Sequence, residues 1–329
     1  MIGFQLTSIL CWIFLMVFTM CPHGIARGET PMIDIQKTTE RLQDHLEALT
    51  RTIGERSVLL PQNIEKTKDY IEKFYESIGV PTHCESYEYR NFTVSNIVAE
   101  ISLCDNPTKR YIVGAHYDSV AGTVGADDNA SAIAVQLETA RQLKMLKDHQ
   151  ELDIAVKFVS FPLEEPPTYG TRHMGSRVYA TKAWKEKEQI DGMICLEMVG
   201  YTCHQPGCQG YPFPLMFLGY PKQGDFIGIV GNFSSRRFTA SLFKAFGKNP
   251  DLPVVKLTVP LGGFMLPSVR LSDHAPFWDR GFKAVMITDT AFNRNPHYHK
   301  ASDTMEKLDY GFMAQLVESL VLFFRSHEP

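Results

Sequence analysis

Apolar residues along the chain keep two alternating rhythms, one helical and one extended. Residues 33–52 and 63–78 carry them at helical spacing, the second stretch closing at Gly79 with Pro81 beyond it, a usual helix stop. Residues 84–90 and 94–103 alternate as strands on either side of Asn91 and predict a hairpin. The run 111–114 is apolar and β-branched, a polar loop follows it, and an Ala-rich amphipathic helix begins at Ser131. Further strands are predicted at 153–161, 193–199, 215–219, 226–230, 254–258 and 284–288, with helices at 175–185, 234–246 and 307–325. Strands that alternate with helices predict an α/β fold of three layers, α/β/α, around a central, mostly parallel mixed sheet. No repeat, charge block or low-complexity linker divides the chain, so residues 27–329 read as a single domain.

The first residues follow a different rule. Residues 4–21 are of low polarity and carry no charge, and Gly24-Ile25-Ala26 supplies small residues just after them. This predicts a secretory signal over residues 1–26, cleaved after Ala26, with an uncleaved membrane anchor as its rival. Export makes the product secreted, periplasmic or extracellular, or membrane-anchored by residues 4–21 if the segment is retained. Disulfides are then permitted: Cys203 with Cys208 across a short loop, and Cys84 with Cys104 between adjacent strands, while Cys195 in an apolar run reads as a buried thiol. The formal net charge of −4 and the absence of a basic block give no footing for nucleic acid.

Candidate chemistry collects where the predicted strands end. The loop after the 111–114 strand holds His116, Asp118, Asp127 and Asp128; the 153–161 strand runs into Glu164 and Glu165 between prolines; Glu197 lies inside an apolar run. Beyond the 284–288 strand come Asp289, His297, Tyr298 and His299, and His274 follows Ser272-Asp273. Each also has an ordinary explanation: a hydrogen-bonded loop histidine, a helix-capping Asp127, a Glu197 paired with a buried arginine. Ligands of open α/β sheets bind beyond the carboxyl ends of the strands, and imidazoles with several carboxylates gathered there point to a divalent metal.

In order, Gly-Ala-His-Tyr-Asp-Ser at 114–119, Gly-Ala-Asp-Asp-Asn-Ala-Ser at 125–131, the Glu164-Glu165 pair, Leu-Glu-Met-Val-Gly at 196–200 and Tyr298-His299 followed by Asp303-Thr304 resemble the co-catalytic zinc aminopeptidases of peptidase clan MH. Glutamate carboxypeptidases and glutaminyl cyclases are relatives, and the resemblance spans roughly residues 90–324. It implies a zinc exopeptidase-like fold, two Zn²⁺ per chain and peptide substrates. By that resemblance His116 binds one zinc with Glu197, His299 binds the other with Glu165, and Asp127 bridges them. Glu164 is then the general base, Tyr298 stabilises the oxyanion, Asp118 supports His116 from behind, and a cis peptide joins Asp127 to Asp128. Three carboxylates and a hydroxide balance the four positive charges of two zinc ions, which allows the site to be buried. The family more often has Asp at the position of Glu197, a side chain one methylene shorter.

The expected activity is removal of N-terminal residues from peptides. A carboxypeptidase or dipeptidase would need a cation for the terminal carboxylate, for which Arg172, Arg177 and Arg294 are placed in sequence. The same fold also admits a single-zinc glutaminyl cyclase-like acyltransferase and a non-catalytic relative.

Overall fold

The computed structural model describes residues 33–213, 216 and 218–327. The signal or anchor expected over residues 1–26 lies outside them. None of the helices among the described residues is long and apolar enough to cross a membrane.

Helix α1 (Ile35–Leu46) starts at Asp34, whose side chain accepts the Lys37 N–H, and continues as a wider π-helical turn, Glu47–Ile53, to Gly54. Helix α2 (Pro61–Ser77) has proline in its first turn, where no backbone donor is needed. Strands β1 (Thr82–Tyr89) and β2 (Phe92–Ser102) form the expected hairpin. After them come β3 (Lys109–His116), α3 (Ala132–Lys147), β4 (Ile154–Phe161), α4 (Gly175–Glu186) and β5 (Gly192–Glu197). The chain closes with β6 (Ile227–Asn232), α5 (Arg236–Phe246), β7 (Val254–Val259), α6 (His274–Asp279), β8 (Ala284–Thr288) and α7 (Tyr310–Arg325).

The eight strands form one sheet in the order β1-β2-β4-β3-β5-β8-β6-β7. Its centre is parallel: β3 pairs with β4 and with β5, and β5 with β8. The β1–β2, β2–β4 and β6–β8 pairs are antiparallel, so the sheet is mixed. Side chains alternate across it, as the pleat requires. Val113, Ile194, Leu196, Val285 and Ile287 pack into a core shared with α1, α3 and α7. Ile112, Met193, Cys195, Ala284 and Met286 pack into a second core with α4 and α6.

Three expectations are corrected. The strand expected over 215–219 is replaced by a turn where the chain is described: the Met216 carbonyl accepts the N–H groups of Gly219 and Tyr220, while residues 215 and 217 lie outside the described residues. Cys84 and Cys104 are both free thiols. Cys84 sits opposite Ile97 in the hairpin, so Cys104 lies well beyond its reach, and the Cys84 thiol donates to Glu72 instead. The last helix begins at Tyr310, capped by Asp309, because Met305–Lys307 forms a separate 3₁₀ turn. The Cys203–Cys208 disulfide is present.

Candidate metal centre

The three central parallel strands β4, β3 and β5, with β8 beside them, end on the same edge. His116 is the last residue of β3 and pairs with Phe161, after which β4 turns into Glu164 and Glu165; Glu197 is the last residue of β5 and pairs with Thr288 of β8. The loop beyond β8 returns His299 to the same place.

Distances define the cluster. His116 Nε2 lies 3.4 Å from Asp128 Oδ1, 3.5 Å from Glu197 Oε2 and 3.9 Å from Glu164 Oε2. His299 Nε2 lies 3.1 Å from Asp128 Oδ2 and 3.3 Å from Glu165 Oε2. The two oxygens of Asp128 therefore face different imidazoles. Donors about 2 Å from a tetrahedral zinc stand about 3.3 Å from one another, so these separations fit a shared ion on either side of Asp128. Among the described residues, both Nε2 of buried His116 and Oε1 of Glu165 lack a hydrogen-bond partner, a costly state that a cation would relieve. Imidazole and carboxylate donors together suit zinc.

Asp127 is not in the cluster, although the resemblance put the bridge there. Its Oδ1 accepts the Gly200 N–H at 2.9 Å and its Oδ2 accepts the Asn295 amide at 2.6 Å, so the side chain is turned behind the loop. Asp128, the next residue, takes the position between the imidazoles. The cis peptide likewise lies one residue on, between Asp128 and Asn129. Asp303 orients both aspartates by accepting the Asp127 N–H on Oδ1 and the Asp128 N–H on Oδ2, at 2.9 and 3.2 Å.

The electrostatics follow from burial and proximity. Burial alone would lower the pKa of His116, but Glu197, Asp118 and Asp128 outweigh it and raise the imidazole well above its usual value. His299, less buried, is carried to about 10 by Asp128 and Glu165 against the same burial effect. Burial also opposes ionisation of Asp128, yet the two imidazoles that face it hold its carboxyl below the usual range. Desolvation raises Glu164 well above a normal carboxyl, and raises Glu165 to about 8 with Asp128 adding to it. Tyr298 stacks on His299 with ring centroids 3.8 Å apart, and burial pushes its phenol up, so it keeps its proton.

Other candidates are placed elsewhere. His274 is buried with Nε2 on the Val269 carbonyl, and His297 bonds Ser302 at the surface. Arg172 is exposed, and Arg177 pairs with Asp279. Arg294 gives its donors to Gln209 and to the Tyr201 and Phe226 carbonyls. Sequence reasoning missed Ser272, whose hydroxyl donates to Glu197 Oε2 at 2.5 Å, and Asn129, whose amide ties the site loop to Leu196 and Met198. Neither has a local sequence signal, since both partners lie more than sixty residues away.

Beside the cluster opens a cavity with about 810 Å³ of free space, counting the part that opens to solvent. Glu197 and Tyr298 face it on the side of the imidazoles, and Val230, Leu257 and Met286 of the sheet form its floor with Gly228. None of its lining residues among the described residues is a lysine or arginine.

Peptidase family M28 matches residues 96–323 of the chain. The uncharacterized protein YfbL of Escherichia coli is 35% identical over 324 residues, 95% of each chain. A probable leucine aminopeptidase of Trichophyton verrucosum is 27% identical over 234 residues, 68% of this chain and 55% of its own length. Among solved structures, a zinc aminopeptidase from Bacillus subtilis superposes with a TM-score of 0.67 at 15% identity, over 90% of this chain and 97% of that one. A glutaminyl cyclase of Porphyromonas gingivalis gives 0.63 at 17% identity, over 90% and 99%. With the family match covering most of the described sheet and the YfbL likeness running almost end to end, the chain belongs to peptidase family M28.

Proposed function

We propose that this protein is an exported zinc aminopeptidase that releases bulky apolar residues from the N-termini of peptides. The observation that carries the reading is Asp128 with one oxygen toward each imidazole, which suits two ions sharing a carboxylate. In that reading His116, Glu197 and Asp128 hold one zinc, and His299, Glu165 and Asp128 the other.

Bound there, the ions would polarise the scissile carbonyl and acidify a water. The chain's own groups do the rest. Glu164 Oε2, 3.9 Å from His116 Nε2, sits where it can take a proton from that water and return it to the leaving amine. Desolvation raises its carboxyl above the usual carboxylate range, which makes it a better proton acceptor than a free glutamate. The Tyr298 phenol, protonated and at the cavity edge, donates to the oxygen that gains charge.

The cavity favours a substrate held by its amino end. A carboxypeptidase needs a cation to receive a terminal carboxylate, and the described lining of the cavity offers none, whereas the cluster beside it is rich in carboxylates. The apolar floor suits a leucine, methionine or phenylalanine side chain. The presence of both imidazoles favours the peptidase over a single-zinc cyclase.

Elemental analysis of the purified protein, alongside hydrolysis of free and N-blocked aminoacyl substrates, tests the proposal. Two zinc ions per chain and cleavage confined to free-amine substrates support it. One zinc with cyclisation of N-terminal glutamine, or cleavage of blocked peptides from the C-terminus, refutes it.

A further inference from the structure

Arg56 lies ahead of the residues matched by the family, in the loop between α1 and α2, and is 1% exposed. Every hydrogen bond of its guanidinium goes to a backbone carbonyl. Nε donates to Tyr117 at 2.8 Å, Nη2 to Gly125 at 3.0 Å, and Nη1 to Val124, Gly54 and Leu49 at 2.7, 3.0 and 3.2 Å. Its own backbone N–H donates to the Ser119 hydroxyl, and its carbonyl accepts the Ser119 N–H. Three of these carbonyls, Tyr117, Val124 and Gly125, belong to the loop that runs from His116 to Asp128.

We propose that Arg56 is a positioning residue for the metal centre: its guanidinium gathers both ends of the 117–125 loop and so sets where Asp128 stands relative to His116.

The inward carbonyls have no water to turn to, so one planar donor fork replaces solvent for the whole loop. Gly125 shows how tight the join is. It adopts φ +53°, and a Cβ there would collide with the Asp128 carbonyl and press on Arg56 Nη2. The charge has a second use. Burial lowers Arg56 to about 10, which leaves it cationic at neutral pH, while Asp118, Asp303, Asp128 and Glu165 act on it through space. No carboxylate among the described residues bonds it directly, so it offsets repulsion within the acidic cluster without competing for the oxygens that face the imidazoles.

The inference rests on the metal-centre reading, and zinc affinity tests it independently of peptidase activity. Full-length wild type, Arg56→Met, Arg56→Lys and, as a destabilised control, Glu138→Gln, which weakens the buried pairing of this α3 carboxylate with His45 and Arg141, would be compared by chelator competition and by the visible spectrum of the cobalt(II) form, at a temperature where circular dichroism finds each folded. Arg56→Met should weaken zinc binding about 10- to 100-fold and shift the cobalt spectrum, as loss of a group that orients ligands does. Arg56→Lys, which keeps the charge but loses the fork, should recover part of the affinity. Glu138→Gln should lower the melting temperature and leave both readouts unchanged. Wild-type affinity and cobalt spectrum in folded Arg56→Met overturn the proposal; if that variant does not fold, the same result in Arg56→Lys overturns it. A wild-type protein that takes up no zinc overturns the metal-centre reading and this proposal together, a result distinct from equal affinities among the variants.

Discussion

Asp118 holds Glu165 by its main chain: Oδ2 of Asp118 accepts the Glu165 N–H at 3.0 Å, while Oδ1 accepts that of Glu164 at 3.1 Å. The same side chain stands 3.5 Å from His116 Nδ1, so one carboxylate ties the end of β3 to the turn after β4. Asp118→Ala should release the glutamate turn and lower kcat/KM and zinc affinity by about 10- to 100-fold. Unchanged zinc affinity in the folded variant would show that the turn holds itself.

The neighbouring aspartates should behave differently. Asp128→Ala removes the carboxylate between the imidazoles and should cost the protein its zinc, whereas Asp127→Asn should keep it, because the Asn side chain can still accept the Gly200 N–H. Elemental analysis of both variants decides it. Zinc lost from Asp127→Asn and kept by Asp128→Ala would reverse the assignment.

Glu164→Gln preserves shape and removes the proton acceptor. Turnover should fall by about 10²- to 10⁴-fold with zinc content unchanged. Near-normal turnover would transfer the base role to another group.

Gly228 faces the cavity, and a Cβ built there meets nothing closer than the Thr288 carbonyl at 3.5 Å, an ordinary contact. Gly228→Leu should therefore fold and fill the floor. Its kcat/KM should drop for phenylalanine and leucine substrates at least tenfold more than for alanine ones, a loss of about 1.4 kcal/mol in preference. An equal drop for all three would place the substrate side chain elsewhere.

His274 gives a pH prediction away from the zinc donors. Burial lowers its imidazole to about 4, the Val269 carbonyl only partly opposing this, and the ring sits edge-on to Trp278. The unfolded chain thus takes up a proton near pH 6.5 that the folded one refuses until about pH 4. Stability is full above the unfolded value and falls as pH drops through that window. Urea unfolding should lose about 2 kcal/mol more in the wild type than in His274→Gln between about pH 7.5 and pH 5. Parallel slopes would mean the imidazole is charged in the fold.

The order of strands and helices was legible because most elements have one buried face or two, and apolar period reports that directly. The stretch around Met216 broke the rule, since its apolar side chain lines the cavity from a turn and not from a strand face. The choice between Asp127 and Asp128 was illegible for a sharper reason. Two adjacent carboxylates have the same local pattern, and Gly200, Asn295 and Asp303, up to 176 residues away, decide which one turns inward. Arg56 is hidden in the same way: one arginine in an irregular loop has no periodicity to mark it.

The sheet order carries a consequence for when the protein becomes active. β8 is made late in synthesis but lies between β5 and β6, and His299 follows it. A nascent chain that has finished β5 already owns His116, Asp128, Glu165 and Glu197, yet Asp128 Oδ2 and Glu165 have no imidazole opposite them. Under the proposed chemistry, a truncated or half-made copy remains inert, and competence arrives in one step, when the last strand slots into the middle of the sheet.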